Sequence, residues 1–162
     1  MEQHHQIHTI APVYNEASRI LILGSFPSVK SREAGFFYGH LQNRFWKVLA
    51  NVFQTQVPGT IAEKKAFLLE HRVAVWDVIA QCEIAGSSDS SIRNVVPNPI
   101  QEILDATKVE QIFVNGKKAE QLYKRYIYPE TKRKALCLPS TSPANASWNL
   151  EKLTEAWKII LG

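Results

Sequence analysis

Cysteine is scarce in this chain: only Cys82 and Cys137 occur among its 162 residues. Two cysteines are too few for a disulfide framework or for a four-cysteine zinc or iron–sulfur site. Both lie in apolar sequence contexts, so we expect them to be small buried residues of a protein in the reducing cytoplasm. The histidines show no metal-ligand spacing either. We therefore expect the protein to use no metal and no other cofactor.

Long apolar segments and a strong net charge are also missing. No stretch approaches the ~18 consecutive apolar residues that a membrane-spanning helix needs, and the N-terminal MEQHHQIHTI has no basic leader followed by an apolar run. We expect a cytoplasmic protein with no membrane partner. The net charge of +4 permits a nucleic-acid partner without requiring one. Because 45% of the residues are apolar, residues 1–162 are predicted to form one domain, which we expect to be monomeric.

Motifs of the common nucleotide-dependent and hydrolytic enzymes are absent as well. The sequence has no P-loop, no G-x-G-x-x-G and no G-x-S-x-G elbow. These absences argue against an NTPase, a dehydrogenase and a serine hydrolase of the elbow type. The short basic runs are typical of solvated faces and carry little weight.

Apolar segments alternate with helical patterns along the chain. Buried strands are predicted at residues 19–23, 72–79, 111–114 and 135–138. Helices are predicted at residues 44–54, from a capping box at 60–63 through 70, from an Asn98 cap to 106, at 119–126 and at 150–160. This alternation predicts an α/β fold, a three-layer α/β/α sandwich with a four-stranded, mostly parallel central sheet. Ligands of such sheets bind beyond the carboxyl ends of the strands.

The segments that follow the predicted strands contain the candidate site. Residues 25–42 form a long irregular stretch, and loops of this length inside compact domains tend to be functional. Its aromatic residues are Phe26, Phe36, Phe37 and Tyr38. These aromatic rings are equally compatible with two roles: stacking on a planar ligand, or covering the end of the hydrophobic core. Asn43 suits a helix N-cap, and the same position would place its amide at the presumed cleft.

Two further strand ends have polar residues whose roles the residues alone leave open. Asn115 is compatible with two roles: it forms an Asn-Gly turn with Gly116, or its amide pairs with the edge of a base. The loop at 140–145 suits an ordinary strand–helix connection, or contact with a nucleic-acid backbone.

Several segments together resemble a known family. They are residues 24–28 (GSFPS), 37–46 (FYGHLQNRFW), 76–78 (WDV), 86–94 (GSSDSSIRN), 114–119 (VNGKKA) and 138–145 (LPSTSPAN). In this order they resemble the uracil-DNA glycosylase superfamily and, within it, the branch of DNA-deoxyinosine (hypoxanthine-DNA) glycosylases. The chain departs from the family pattern at Phe26, where many members carry a catalytic Asp or Asn, and at Leu41, where the branch carries proline.

The resemblance implies a monofunctional DNA glycosylase. Such an enzyme binds DNA that contains deaminated bases and hydrolyses the N-glycosidic bond of a flipped base, leaving an abasic site. Hypoxanthine is the expected base, with uracil and xanthine as further candidates. The resemblance implies that Asn43 is catalytic, and we expect its carbonyl oxygen to hold a water below C1′.

The remaining site residues follow from the same resemblance. Base-binding roles are expected for Ser25, Phe26, Phe37, Tyr38 and Asn115. DNA-binding roles are expected for Ser28, Ser140, Thr141, Ser142, Pro143 and Asn145. Two other functions stay open at this point: a non-catalytic nucleic-acid-binding relative of the same fold, and a nucleoside or nucleotide N-glycosidase that acts on small molecules.

Overall fold

The computed structural model describes residues 4–162. Its strands are β1 His4–Ile7, β2 Ile20–Gly24, β3 Val73–Asp77, β4 Ile79–Ile84, β5 Arg93–Pro97, β6 Gln111–Asn115 and β7 Ala135–Leu138. Its α-helices are α1 Val29–Ala34, α2 Phe45–Val52, α3 Ile61–Glu70, α4 Ile100–Ala106, α5 Lys117–Leu122, α6 Tyr128–Thr131 and α7 Leu150–Trp157. A π-helical turn, Tyr123–Ile127, joins α5 to α6, and 3-10 turns occupy Asp89–Ser91 and Lys158–Leu161.

The central sheet has four parallel strands in the order β3-β2-β6-β7. Its strands are the four that the sequence predicts, and helices cover both of its faces, so the predicted α/β/α sandwich is confirmed. Alternate residues of β2 enter different cores: Ile22 packs with α2, α3 and α7, whereas Leu21 and Leu23 pack with α4 and α5. This double burial explains why the strand is a continuous apolar run.

A second sheet, antiparallel with the order β1-β4-β5, was not predicted from the sequence. The predicted strand at 72–79 ends at Asp77, and β4 begins only two residues later at Ile79. Asn98 stabilises this bend, because its buried Nδ2 donates to the carbonyl oxygens of Asp77 at 2.9 Å and Ile79 at 3.1 Å. The prediction of Asn98 as a helix cap is therefore wrong, and α4 begins after Pro99 without a side-chain cap.

Three smaller expectations also need correction or adjustment. The stretch at 25–42 contains α1, and the Ser28 hydroxyl caps this helix by accepting from the Ser31 N–H at 3.1 Å. Helix α2 begins at Phe45, and the Asn43 side chain still accepts the N–H of that residue at 3.0 Å. Cys137 is exposed on β7 rather than buried.

Within residues 4–162, no helix is long and apolar enough to cross a bilayer.

Candidate active site

The carboxyl ends of three neighbouring strands meet at one edge of the central sheet. There β2, β3 and β6 end at Gly24, Asp77 and Asn115, and all three residues line a cavity of about 370 Å³. A cavity of this size is within the range of small-ligand sites. The predicted site residues that line it are Ser25, Phe26, Ser28, Phe37, Tyr38, Asn43, Asn115, Ser140, Thr141, Ser142 and Pro143. Asn145 does not line the cavity.

A chain of hydrogen bonds joins the two asparagines through Thr141, which is fully buried. The Asn115 amide receives the Thr141 N–H at its Oδ1 (3.1 Å) and donates from Nδ2 to the Thr141 hydroxyl oxygen (3.0 Å). That hydroxyl in turn donates to Asn43 Oδ1 at 2.8 Å. Because a backbone N–H supplies one contact at each asparagine, the orientation of both amides is determined.

This chain changes what Asn43 offers to a substrate. Its Oδ1 already accepts two hydrogen bonds, from the Thr141 hydroxyl and from the Phe45 N–H, which use both lone pairs of a carbonyl oxygen. Its Nδ2 has no hydrogen-bond partner among residues 4–162. The carbonyl oxygen, which the sequence analysis expected to hold the water, is therefore already occupied. The free groups of Asn43 are its N–H donors.

Arg44, which sequence reasoning did not single out, fixes the loop that follows β7. Its backbone N–H donates to the Thr141 carbonyl at 3.1 Å. Its guanidinium donates to three more loop carbonyls, those of Ser142 at 2.8 Å, Asn145 at 3.2 Å and Trp148. Charge-assisted contacts of this kind are the stronger hydrogen bonds of a protein. The arginine beside the candidate catalytic residue thus ties the loop to the start of α2.

The loop at 140–145 also supports itself internally. Asn145 donates from Nδ2 to the Ser140 carbonyl at 3.0 Å, and the Ser140 hydroxyl accepts the Ser142 N–H at 3.1 Å. Gly116 lies against this loop with a φ of +96°, and a Cβ there would stand 3.0 Å from the Ser140 Cβ. Asn145 thus shapes the loop instead of facing the cavity, and glycine is required at 116 by both conformation and space.

The aromatic residues of the long segment after β2 divide into two groups. Phe36 stacks on Trp46 and belongs to the hydrophobic core, which is the second of the two roles that the sequence allows for these aromatic residues. Phe26 and Phe37 are both buried and reach the cavity wall. Tyr38 also lines the cavity, but its ring stacks on Phe45 at a centroid distance of 3.9 Å, which occupies one of its faces. Its φ of +52° is an outlier for a bulky residue, of the kind that clusters at functional sites.

The Tyr38 hydroxyl is buried without a hydrogen-bond partner in the described part of the chain. Burial and, after it, the nearby Asp77 carboxylate raise the pKa of Tyr38 above its ordinary value. The Asn115 amide opposes this rise weakly without reaching hydrogen-bond geometry. The side chain is therefore a neutral phenol at every physiological pH and keeps its O–H as a donor.

A buried pair, Asp77 and His8, lies behind this part of the cavity. His8 Nε2 is 2.8 Å from Asp77 Oδ2, and their side chains are 2% and 5% exposed. His8 Nδ1 accepts the Ile10 N–H at 3.2 Å, so the imidazole proton is on Nε2 and is donated to the carboxylate. Sequence reasoning placed Asp77 at one of the strand ends that form the site but assigned no role to it or to His8. The signal in the sequence was the position of Asp77 at the end of a buried strand, because a carboxylate there needs a hydrogen-bonding partner.

A second carboxylate, that of Asp89 in the serine-rich segment, also lines the cavity. It accepts from the Ser25 hydroxyl at 3.2 Å. Desolvation raises the pKa of Asp89, and the Ser25 hydrogen bond and the positive charge of Lys118 oppose that rise. The hydroxyl of Ser25 is therefore already hydrogen-bonded to the Asp89 carboxylate.

Residues 4–162 contain no cluster of three or more histidine, cysteine or acidic side chains arranged to hold a metal ion.

The fold has a parallel among solved structures. A solution NMR structure from Methanosarcina acetivorans, described as a candidate uracil DNA glycosylase, superposes with a TM-score of 0.79 and 26% identity. The match covers 96% of this chain and 98% of the other. The α/β/α sandwich is thus the fold of the uracil-DNA-glycosylase class.

Sequence comparison defines the family more narrowly. The family model of the Uracil DNA glycosylase superfamily matches residues 11–161, and the chain belongs to this superfamily. The protein named hypoxanthine DNA glycosylase in Methanosarcina acetivorans is 33% identical over 153 residues, covering 91% of this chain and 93% of that protein. Its namesake in Methanosarcina barkeri is 29% identical over 110 residues, covering 67% and 70%. The resemblance found in the motifs is confirmed.

Proposed function

We propose that this protein is a monofunctional DNA glycosylase that hydrolyses the N-glycosidic bond of hypoxanthine flipped out of DNA and leaves an abasic site. Two relatives that match most of the chain are named hypoxanthine DNA glycosylases, which supports the reaction and the base. Uracil and xanthine, which also arise by deamination, are further candidate substrates. The observation that carries the proposal is the cavity wall in which Thr141 holds both Asn43 and Asn115.

The cavity suits a single extruded base. Its volume of about 370 Å³ is large enough to hold one flipped nucleobase. Rotating a base out of the duplex costs a few kcal/mol, and the cost is least for a mispaired base. Hypoxanthine opposite thymine is such a base, so the substrate itself supplies part of the selectivity.

The chemistry assigned to Asn43 follows from its free Nδ2 group. An amide cannot deprotonate water at neutral pH, but its N–H can hold a water that keeps a second lone pair for C1′. This arrangement is sufficient if the glycosidic bond breaks first, an oxocarbenium-like sugar then captures the water at C1′, and the proton that the water loses passes to the anion of the departing base. The negative charge that collects on the departing base is stabilised by hydrogen-bond donors of the cavity, including main-chain N–H groups near 25–28.

An oligonucleotide panel tests this function. Duplexes with a single labelled deoxyinosine, deoxyuridine or deoxyxanthosine are incubated with the protein and then treated with alkali, with an undamaged duplex and an Asn43→Ala preparation as controls. We expect alkali-dependent cleavage at deoxyinosine. Tight binding without base release would instead indicate a non-catalytic DNA binder, and hydrolysis of free deoxyinosine alone would indicate a nucleosidase. Cleavage before alkali would contradict the monofunctional assignment.

A further inference from the structure

A second cavity, of about 300 Å³, lies at the amino ends of the parallel strands. Ile20 and Gln111, the first residues of β2 and β6, line it together with Leu136 of β7. Because the strands run parallel, this end of the sheet is opposite to the end that forms the candidate active site. We call this cavity the rear cavity. A partner bound there leaves the candidate active site open.

Exposed apolar side chains gather around the rear cavity. Leu136, Ile159 and Leu161 all line it, and they are 43%, 53% and 56% exposed. Phe53 and Phe113 line it as well. Single exposed apolar residues are common on protein surfaces, whereas a cluster of them around a concave site is typical of an interaction surface. The volume is at the lower limit for small-ligand sites and suits one bulky side chain of a partner.

The charged side chains at the rear cavity define the chemistry of that partner. Arg19 and Glu110 line it as an ion pair, with Arg19 Nη2 3.1 Å from Glu110 Oε2. Arg72 also lines it, and its guanidinium has no hydrogen-bond or ion-pair partner within residues 4–162. The unpaired side-chain charge at this cavity is therefore positive, and a carboxylate is its complement.

The backbone of Arg72 points to the same conclusion. The residue follows α3 with a φ of +60°, a conformation that favours glycine. Its backbone is fixed there, because its N–H donates to the Leu69 carbonyl at 3.2 Å and its carbonyl accepts the Arg19 N–H at 2.8 Å. Strained residues of this kind cluster at functional sites. The guanidinium makes no polar contact within the described chain that would offset the strain, which points to an external partner.

We propose that the rear cavity docks a segment of a partner protein that carries a large apolar side chain next to an aspartate or glutamate. The apolar side chain packs against Phe113 and Leu136, and the carboxylate binds the Arg72 guanidinium. DNA phosphates would match the charge but bring no apolar side chain, so the cavity does not suit nucleic acid. This inference goes beyond the proposed function, because it assigns protein binding to a surface that base excision does not use.

A peptide-display selection with the whole protein tests this inference. A library of random dodecapeptides is selected on the wild type and, in parallel, on Leu136→Asp, which places a carboxylate at the cavity wall. We expect the peptides enriched on the wild type to share an apolar residue next to Asp or Glu, and to be lost from the Leu136→Asp selection. Val96→Asp, at a residue 45% exposed on β5, is the matched control and should retain them.

Arg72→Gly separates binding from folding. We expect this substitution to weaken the best enriched peptide by about tenfold or more in fluorescence anisotropy, because the charge-assisted contact is lost. It also relieves the backbone strain, so we expect Tm to rise by about 2 °C. Lys132→Gly is the control. Lys132 has a φ of +58° after α6 but does not line the cavity, so its replacement should raise Tm without changing the affinity.

Each outcome supports or overturns the inference. Enriched apolar–acidic peptides that depend on both Arg72 and Leu136 support it. No enrichment on the wild type, or peptides that bind Arg72→Gly as tightly as the wild type, overturns it. Octanoate binding in calorimetry without peptide enrichment would indicate a small-ligand site, and self-association that Leu136→Asp abolishes would indicate a second copy; both overturn it. If Leu136→Asp does not fold, Arg72→Gly decides alone. We expect Arg72→Gly to excise hypoxanthine at the wild-type rate.

Discussion

The hydroxyl of Thr141 is the junction of the hydrogen-bonded chain in the cavity wall, and its removal is the sharpest test of that chain. Thr141→Val keeps the shape of a fully buried side chain. It deprives Asn115 Nδ2 of its acceptor and Asn43 Oδ1 of one of its two donors. A buried donor left without a partner costs about 1–3 kcal/mol, so we expect a loss of about 2 kcal/mol in the free energy of unfolding. For a chain of this length that loss lowers Tm by roughly 4–8 °C.

Catalysis should suffer more than binding in this variant. Once Asn43 is no longer held by the hydroxyl, its Nδ2 is less well placed, and small misplacements of a positioning group cost up to about 10²-fold in rate. We expect single-turnover excision of hypoxanthine by Thr141→Val to slow by about 10–10²-fold, with a smaller change in the affinity for the duplex.

Thr141→Ser is the matched control for both measurements. It keeps the hydroxyl and loses one buried methyl group, which costs about 1 kcal/mol of stability. We expect its excision rate to stay close to that of the wild type. If Thr141→Val were as active as Thr141→Ser, or if the two variants were equally destabilised, the hydrogen-bonded chain would not have the role described.

Three further substitutions probe the supports of the site. Gly24→Ala places a Cβ 2.5 Å from Asp77 Oδ1, so the carboxylate must shift, and we expect at least a tenfold lower kcat/KM for deoxyinosine duplexes with the fold retained. Arg44→Met removes the guanidinium contacts to the loop at 140–148, and we expect faster amide hydrogen exchange there by mass spectrometry. Asn98→Ala removes two buried donor contacts below β3, and urea unfolding should show a loss of about 2–3 kcal/mol.

Much of the central fold was predictable, because its determinants are local. Three of the four strands of the parallel sheet, β2, β6 and β7, are short apolar runs that end at glycine, at asparagine or before proline. Strand β2 is apolar on both faces because helices cover both. The rule that strand ends form the site then brings together Gly24, Asn115 and the loop after β7, and the structure places all of them around one cavity.

The second sheet was not predictable in the same way. Strand β1 has the polar sequence HHQI and is mostly exposed, so it lacks the alternation that marks a half-buried strand. Strand β4 follows β3 after a single residue, Val78, with no turn signal between them. The bend between these strands is stabilised by a long-range contact. The buried Asn98 amide donates to the carbonyl oxygens of Asp77 and Ile79, which lie 21 and 19 positions earlier in the chain.

The roles of the site residues depend on contacts that the motifs do not reveal. The motif around Asn43 indicates that this amide is important but not which of its atoms is free, since that depends on a hydroxyl 98 positions away. The partnership of His8 with Asp77 spans 69 positions and joins the two sheets. Local patterns therefore locate the site, and only the folded structure gives the direction of each hydrogen bond.

The central claim, that Asn43 is the catalytic residue of a glycosylase acting on hypoxanthine, is tested most directly by single-turnover excision from a deoxyinosine duplex. We measure the wild type, Asn43→Ala and Asn43→Asp, with Tm and duplex affinity determined for each. The account predicts that Asn43→Ala loses about 10²-fold or more in rate while it still binds the duplex. Asn43→Asp should remain active, because one carboxylate oxygen accepts from Thr141 and Phe45 and the other can hold the water. An Asn43→Ala variant that excises hypoxanthine at the wild-type rate would contradict the account.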